Sequence, residues 1–293
     1  MRRYEFMVDH VETYPIRVLA STLGVSPSGF YDWRDRPVSV RRRRRTEIEE
    51  VVTEIYAEHG GIPGSRKIQE ELVRRKIDVC RNTVAATMCR KGLKSKAQRH
   101  RKFVVTTDSD HDDPIAPKIL DRDFTADAPN RKWLADITFV RVDLGWAYVA
   151  TVMDLFSRRI VGWSVSDSCD EALVLEALGQ ALELRRPAPG LLYHSDRGST
   201  YTAAEHRRRL AASGIQCSMS RVGNCWDNAC AERFFCSYKN EWTNHRHYAD
   251  IEAVRQDTFK YIEIYYNRKR RHQALGYLTP AEFESRHQES TAA

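Results

Sequence analysis

The chain has 293 residues, of which 42% are hydrophobic and 30% are charged. This composition is typical of a globular protein with two or three domains. No apolar stretch approaches the roughly 20 residues of a membrane helix, and the N-terminus lacks the apolar region of a secretory signal. A membrane protein is therefore excluded, and a cytoplasmic location is expected. The seven cysteines lack paired CxxC spacing, which favours reduced thiols over disulfides or zinc ligands.

The positive charge of the chain is concentrated in its N-terminal third. Residues 1–102 carry 23 Lys and Arg against 13 Asp and Glu, a net charge of +10, whereas the remainder carries 24 against 27, a net charge of −3. This distribution indicates a DNA-binding portion that is joined to a different domain. The run Arg41–Arg45 alone is more typical of a solvated segment, and we interpret it as a linker that can touch phosphates.

The first 40 residues have the pattern of a small helix-turn-helix segment. Helical spacing runs from Ile16 to Leu23, Gly24 breaks it, and Ser26-Pro27-Ser28 can cap a second helix that extends to Trp33. The aromatic residues of this second helix are predicted to form its core rather than to stack on bases.

Residues 46–95 are predicted to form a helix-turn-helix DNA-binding domain. Its first helix ends at the glycine-rich segment Gly60–Gly64, a second runs from Ser65 to Arg75, and Asn82 or Thr83 caps a third. A plain three-helix bundle is the alternative, and the charge favours DNA. The basic residues predicted to contact DNA are Arg66, Arg81, Arg90 and Lys91.

From residue 131 onward the pattern changes from helices to strands, after a polar linker at 96–130. The element order is three antiparallel strands, helix, strand, helix, strand, helix. That order is typical of a ribonuclease H-like α/β domain, with a five-stranded mixed sheet and flanking helices over 131–245. A C-terminal helical extension is predicted over 246–293. The predicted core elements are Lys132–Val142, Trp146–Leu155, Arg159–Ser166, Glu171–Arg186, Leu191–Ser195, Ala203–Ser213 and Ile215–Met219.

Three acidic residues in this domain are candidates for a metal site. Asp136 interrupts an apolar strand, Asp196 ends another strand, and Glu232 follows 35 residues later on a helix. A charge in a buried strand is costly unless it is paired or bound to a metal. Carboxylates suit Mg²⁺ or Mn²⁺, and two such ions can promote an in-line phosphoryl displacement. In a basic chain this chemistry indicates cutting or joining of nucleic acid.

Other side chains accompany these acids. Asn228 and Lys239 share the helix face of Glu232, and Asp227 or Asn228 is expected to cap that helix. His194 has the same strand parity as Asp196, and it either approaches the metal ligands to orient them or is a core histidine with its own hydrogen-bond partners.

Two further acids compete with this assignment. Asp154 also interrupts an apolar run. We interpret it as a structural residue that is bonded to the following turn or to Arg158. A role in orienting the metal ligands stays open. Glu241 is expected to be a surface charge.

These motifs in combination resemble the DDE transposase and retroviral-integrase superfamily, and more closely the integrase-like second reading frame (OrfB) of bacterial insertion sequences of the IS-three group. The resemblance extends over nearly the whole chain. One departure is Gly61–Gly64, where the family commonly has a Tyr-Gly pair. The matching stretches are Gly64–Ile68, Val84–Leu93, Trp133–Thr138, Asp154–Trp163, His194–Gly198, Asp227–Ala229 with Glu232, Tyr266–Asn267, Arg270, His272, Leu275–Tyr277 and Pro280.

The resemblance implies a function for these residues. Asp136, Asp196 and Glu232 take the roles of ligands for two Mg²⁺ (or Mn²⁺) ions, and Lys239 that of a contact to substrate DNA. The implied reaction frees a 3′-OH at the end of the element and then joins it to another DNA strand, without a covalent enzyme intermediate.

The resemblance also implies partners. These are double-stranded DNA, as terminal inverted repeats and as target, further copies of the chain in a synaptic complex, and an upstream OrfA product or frameshift fusion. Because the chain begins near an OrfB start, it is expected to form only part of such a fusion. The implied location is the bacterial cytoplasm, in association with the nucleoid when DNA is bound.

Two other functions remain open from the sequence. One is a catalytically idle DNA-binding regulator, and the other is a ribonuclease H-like nuclease that does not join DNA. The segment from Tyr265 to Arg271, including Arg270, is predicted either to hold DNA near the acids or to be a helix end with packed aromatics and solvated charges.

Overall fold

A computed structural model describes residues 2–96, 116–117, 119–121, 123–220 and 228–292. Most of the predicted linker at 96–130 lies outside these residues, as does Asp227. The chain divides into two compact units, residues 1–54 and 55–293. The predicted domain limits at 40 and 46 lie at the start of and inside the helix Val40–Glu58, and this division falls later in the same helix.

The first unit is helical. It contains α1 (Arg2–His10), α2 (Ile16–Leu23), α3 (Pro27–Arg34) and most of α4 (Val40–Glu58). The predicted turn and cap are confirmed: Gly24 has a φ of 62°, and the Ser26 Oγ accepts a hydrogen bond of 3.2 Å from the Gly29 amide. The buried core comprises Met7, Leu19, Ala20 and Phe30.

The arginine run Arg41–Arg45 lies inside α4 and is not a linker as predicted. Arginine is a good helix former, and no Gly or Pro interrupts the sequence between Val40 and Glu58. An ion pair of 3.1 Å between Arg45 and Glu49, one turn apart, adds to the helix.

The second unit begins with two short helices, α5 (Ser65–Arg74) and α6 (Arg81–Arg90). Gly60 and Gly61 have positive φ, as the predicted stop before α5 requires. α6 starts earlier than predicted, because Cys80 rather than Asn82 or Thr83 is the last extended residue before it.

The remainder of the second unit is built on a five-stranded sheet, as predicted. Its strand order is β3-β2-β1-β4-β5. The first three strands pair antiparallel, and β4 and β5 run parallel to β1, so the sheet is mixed. The strands are β1 (Lys132–Val142), β2 (Gly145–Asp154), β3 (Ile160–Ser166), β4 (Leu192–Ser195) and β5 (Gln216–Met219).

Both faces of this sheet are covered by apolar side chains, because alternate residues of β1 point to opposite sides. Trp133 and Ala135 pack with residues of α7, whereas Leu134 and Val140 pack with aromatic residues of α10. The predicted helix at 203–213 is divided in two by Ala203. The helices are α7 (Glu171–Arg185), α8 (Ser199–Thr202), α9 (Ala204–Ala212), α10 (Ala229–Ser237), α11 (Ile251–Phe259) and α12 (Pro280–Ala292), and π-helical segments follow α10 (Tyr238–Trp242) and α11 (Lys260–Tyr266).

We expect Gly162→Ala to lower the free energy of unfolding by roughly 3 kcal/mol, the upper end of the usual range for overpacking. A Cβ at Gly162 would collide with the backbone carbonyl of Ala177 and lie 2.9 Å from the amide nitrogen of Ala181, so α7 would have to move away from β3. Gly179→Ala is the matched control on α7, because nothing lies within 4 Å of its added Cβ. Urea denaturation of both variants checks this prediction, and equal midpoints would contradict it.

Candidate active site

Asp136 and Asp196 are brought together by the pairing of β1 with β4. Leu134 is paired with His194 in a parallel register, and each aspartate lies two residues further along its strand direction. The two aspartates therefore lie on neighbouring chain segments, since paired strands are about 4.8 Å apart, and the charge of Asp196 acts on Asp136. β4 ends at Ser195, so Asp196 follows directly after the strand that pairs with β1.

Backbone amides orient both aspartates. One carboxylate oxygen of Asp196 accepts a hydrogen bond of 3.0 Å from the Gly198 amide, and one of Asp136 accepts 2.9 Å from the Ile137 amide. A Cβ at Gly198 would lie 3.2 Å from the same Asp196 oxygen. Glycine at this turn thus lets the backbone approach the carboxylate closely.

Glu232 on α10 and Lys239 on the π-helical segment that follows it approach these acids, and α10 packs against β1. Both are partly buried, and both act electrostatically on Asp136. The Lys239 Nζ lies 4.5 Å from the centre of the Phe139 ring on β1. Lys239 therefore contacts β1, and the charge of Glu232 contributes to the raised pKa of Asp136.

The charges at this point repel one another. The pKa of Asp136 is raised well above its ordinary value, first by burial and then by the negative charges of Asp196 and Glu232, while Lys239 acts in the opposite direction. Burial also raises the pKa of Glu232. A bound cation would favour the ionised forms of these acids and remove the repulsion.

The donor set suits a hard divalent cation, since its ligands are carboxylate oxygens. Within the ranges that the structure describes, no three His, Cys, Asp or Glu side chains already form a closed metal-binding group. Mg²⁺ does not require one, because it is commonly held by one or two carboxylates and retains several waters. Asn228, one turn before Glu232, adds a buried Oδ1 atom that has no hydrogen-bond partner among the described residues.

Asp154 is bonded to the backbone, as the structural interpretation of this residue predicts. Its two carboxylate oxygens accept hydrogen bonds from the amides of Asn130, at 2.8 Å, and Phe156, at 3.0 Å. It is fully buried and opposite Trp133, three residue pairs from Asp136 along the strands. These contacts join the segment before β1 to the turn between β2 and β3, and a role in orienting the metal ligands does not fit them.

The two other predicted neighbours differ in outcome. His194 is a buried histidine whose Nδ1 lies 2.8 Å from the Ser218 Oγ on β5, which is the contact of a core residue. Asn228, one of the two predicted caps, is the N-cap residue of α10, but its side chain makes no capping hydrogen bond.

Arg270 is not placed to bind DNA, contrary to the prediction. Its side chain is only 13% exposed, and it forms an ion pair with Glu241, which is itself buried rather than on the surface as expected. Tyr265 and Tyr266 are buried as well. Of the two alternatives for this segment, the one with packed aromatic side chains is correct for Tyr265 and Tyr266. Arg270 is neither solvated nor free for DNA, because it belongs to an internal ion pair.

Two models of the integrase core domain match the chain, at residues 126–225 and 213–280, and a model of an HTH-like domain matches residues 42–102. The transposase InsF of insertion sequence IS3A from Escherichia coli K12 is 37% identical over 97% of this chain and 99% of its own length. The chain belongs to the IS3 family of insertion-sequence transposases. This membership confirms the predicted resemblance and the predicted enzyme class, a DDE-type polynucleotidyl transferase. The predicted fold class is confirmed by the sheet together with the integrase core and HTH-like matches.

Another relative of this transposase is the uncharacterized 31 kDa protein of insertion element IS600 from Shigella sonnei, which is 36% identical over 94% of this chain and 100% of its own length. Among solved structures, the catalytic core domain of HTLV-2 integrase in complex with magnesium is 17% identical, covers 54% of this chain and 97% of its own, and has a TM-score of 0.41. No helix in the described part of the transposase is long and apolar enough to cross a membrane.

Two residues near the acids were not identified from the sequence. The buried Tyr201 on α8 has its hydroxyl without a partner among the described residues, and its pKa is raised well above the ordinary value, mainly by burial and further by Tyr193 and Asp136. Burial and then the charge of Asp196 raise the pKa of Cys169. In the sequence, Tyr201 is marked only by its position five residues after Asp196. An ordinary core tyrosine could stand at the same position, so the sequence did not indicate a place near the acids.

The residues predicted to contact DNA from the helix-turn-helix unit lie on its surface. Arg66 on α5 is exposed, and so are Arg81, Arg90 and Lys91 at the two ends of α6. The apolar residues Ile68, Leu72, Val84 and Met88 of the same helices are buried. The unit therefore separates a packed apolar side from exposed basic positions.

Proposed function

We propose that this transposase binds the terminal repeats of its element and catalyses metal-dependent cleavage at the DNA 3′ end, followed by strand transfer. The observation that supports the proposal is the register between β1 and β4, which leads to Asp136 and Asp196 on neighbouring segments, together with the charges of Glu232 on α10 and Lys239 on the following π-helical segment, which both act on Asp136. In this proposal Asp136, Asp196 and Glu232 hold two Mg²⁺ or Mn²⁺ ions. When bound, the ions supply activation of the attacking hydroxyl and neutralise charge on the phosphate.

The protein's own residues position the reactants. The Gly198 and Ile137 amides fix the directions of the two aspartates, and Lys239 offers a positive charge for the DNA backbone next to Asp136. In the joining step, the 3′-OH oxygen bonds to a phosphorus of the target strand and the 3′ oxygen of that strand leaves. No side chain needs to form a covalent bond with DNA, so positioning and charge account for catalysis.

We expect the complex with DNA to contain more than one copy of the chain. Each copy has one set of the three acids, whereas an element has two ends that must be joined to the target. An upstream OrfA product or fusion remains a further proposed partner.

We expect Arg81→Ala to weaken binding to the terminal repeat and to reduce the slope of log affinity against log salt by about 1, the change for one lost phosphate contact. Arg81 is exposed at the first turn of α6. Fluorescence anisotropy at several salt concentrations measures the slope. Arg286→Ala, at an exposed position of α12, is the control; a slope unchanged by Arg81→Ala would remove this residue from the DNA interface.

The proposed reaction is tested with labelled duplexes that carry the terminal sequence flanking the gene. Uncut ends, pre-cut ends with a 3′-OH and pre-cut ends with a 3′-hydrogen are each incubated with target plasmid and Mg²⁺. Joined products are expected from the first two substrates only, and none are expected with EDTA. Cut but unjoined DNA would support the nuclease, and binding without any cleavage would support the regulatory protein.

A further inference from the structure

The C-terminal motif from Tyr266 to Pro280 has no part in the reaction as proposed so far. The structure shows what one of its residues, Arg270, contacts. Its Nε and Nη2 atoms donate to the two carboxylate oxygens of Glu241, each at 2.7 Å, and Nη2 also donates to the Ser237 Oγ at 2.9 Å. One nearly buried guanidinium thus joins two residues that are four positions apart.

Ser237 and Glu241 lie on either side of Lys239. Ser237 is the last residue of α10, and Glu241 belongs to the π-helical segment Tyr238–Trp242. π-helical turns are rare and frequently occur at functional sites. The hydrogen bonds from Arg270 therefore hold both ends of the turn from which Lys239 reaches the Phe139 ring and acts by its charge on Asp136.

Glu241 also contacts the helix-turn-helix unit. The Lys67 Nζ on α5 lies 3.5 Å from a Glu241 oxygen. Burial and then the neighbouring Arg270 lower the pKa of Lys67 to about 8, so this group is mostly charged at neutral pH. Glu241 thus receives two positive charges, one from the C-terminal motif and one from α5.

A second set of ion pairs strengthens the same junction. Arg271, the neighbour of Arg270, pairs with Glu71 on α5 at 3.3 Å and with Glu282 on α12. Arg74, also on α5, pairs with Glu282 at 2.9 Å. α5 is therefore fixed to the C-terminal extension through Glu71 and Arg74, two residues in its C-terminal half that are about one turn apart.

We propose that Glu241 is a positioning residue that, through Arg270 and Lys67, fixes Lys239 beside the carboxylates and couples the helix-turn-helix unit to the joining reaction. This inference rests on the proposed function, because Lys239 matters only if the acids act on DNA. Buried ion pairs contribute little net stability compared with apolar side chains, but they fix the positions of the groups that form them. Here both carboxylate oxygens of Glu241 accept hydrogen bonds from Arg270.

A double-mutant cycle separates positioning from a general structural role. Lys239→Met is expected to slow the joining of pre-cut ends by roughly 10²-fold, as for loss of one preorganised charge contact. In the Glu241→Gln background the same change is expected to cost less than about threefold, because Lys239 is already misplaced. Glu289→Gln, exposed on α12, is the matched control background, in which the full effect of Lys239→Met should remain. An equal effect of Lys239→Met in all backgrounds would overturn the proposal.

The contact between Lys67 on α5 and Glu241 is tested with variants that leave the Arg270–Glu241 pair intact. These variants test the proposal even if Glu241→Gln fails to fold. Lys67→Met should slow joining about tenfold while its affinity for the terminal repeat stays within about twofold, and Lys67→Arg should restore the rate. Lys260→Met, at an exposed position, is the control. A normal rate for Lys67→Met would refute the coupling.

Failure of this inference is distinguishable from failure of the proposed function. If the unaltered protein does not join pre-cut ends, the proposed function fails. If the unaltered protein joins pre-cut ends, the proposed function stands. The positioning role is then wrong if Lys239→Met has its full effect in the Glu241→Gln background, or if Lys67→Met joins at the normal rate.

Discussion

Replacing Asp136 by asparagine is expected to lower Mg²⁺-dependent strand transfer by roughly 10³-fold or more, a loss typical of removing one electrostatic contact in a preorganised site. The substitution preserves shape and removes one charge from the pair that the β1–β4 register creates with Asp196. Because the exposed basic residues of α5 and α6 are unchanged, affinity for the terminal repeat should remain within about twofold. Gel-based joining assays and anisotropy measure the two quantities.

Asp127→Asn is the control for this prediction, since Asp127 is an exposed acid in the segment before β1. It should join DNA at the unaltered rate. An Asp136→Asn enzyme that retained strand transfer would remove Asp136 from the proposed metal ligands. A variant that lost DNA binding as well would show that the substitution disturbs more than the chemistry.

Replacing Glu284 by glutamine is expected to lower the free energy of unfolding by about 3–5 kcal/mol, the cost of leaving buried charges unpaired. Glu284 on α12 is 3% exposed. It pairs with Arg159 at 2.8 Å and Arg185 at 2.5 Å, and it accepts a hydrogen bond of 2.6 Å from the Ser157 Oγ. This one carboxylate therefore ties α12 to α7 and to the turn before β3.

The same residue predicts a pH dependence of stability. Burial alone would raise the pKa of Glu284, but Arg185, Ser157 and Arg159 together lower it below its ordinary value. A carboxylate with a lowered pKa in the folded state stabilises the protein at neutral pH, and this contribution is lost as pH falls through that pKa. The stability difference between the unaltered protein and Glu284→Gln should therefore shrink between neutral and strongly acidic pH.

Urea denaturation at pH 7 and at acidic pH measures this difference. Glu289→Gln, on the exposed part of the same helix, should change the unfolding midpoint little at either pH. A Glu284→Gln protein as stable as the unaltered one at pH 7 would contradict the structural role of this ion pair.

The catalytic part of the fold was predictable from local patterns. Apolar alternation located β1, β2 and β3 to within one residue at most of their ends, because each strand is buried and bounded by a turn. Asp136 and Asp196 stood out because a charge in an apolar strand needs a compensating partner. The sequence also indicated that the face of α10 bearing Glu232 leads to the same place.

Contacts between distant parts of the chain were not predictable in this way. Glu241 has the local pattern of a surface acid, and only the approach of Lys67 and Arg270, at separations of 174 and 29 residues, makes it buried. Arg270 was assigned to DNA for the same reason, since a basic run does not show which of its members meets an internal carboxylate. The run Arg41–Arg45 is exposed, as its charge indicated, but it was misassigned to a linker because charge does not distinguish an exposed helix from a loop.

The most direct test of the central claim is the metal preference of an Asp196→Cys variant in the joining assay with pre-cut ends. Thiolates favour softer cations, whereas Mg²⁺ requires oxygen ligands. If Asp196 holds a catalytic ion, the variant should lose joining with Mg²⁺ and recover it in part with Mn²⁺, so that the ratio of Mn²⁺ to Mg²⁺ rates rises at least about tenfold above that of the unaltered protein. The same ratio in both proteins would contradict a metal-ligand role for Asp196 and, with it, the proposed site.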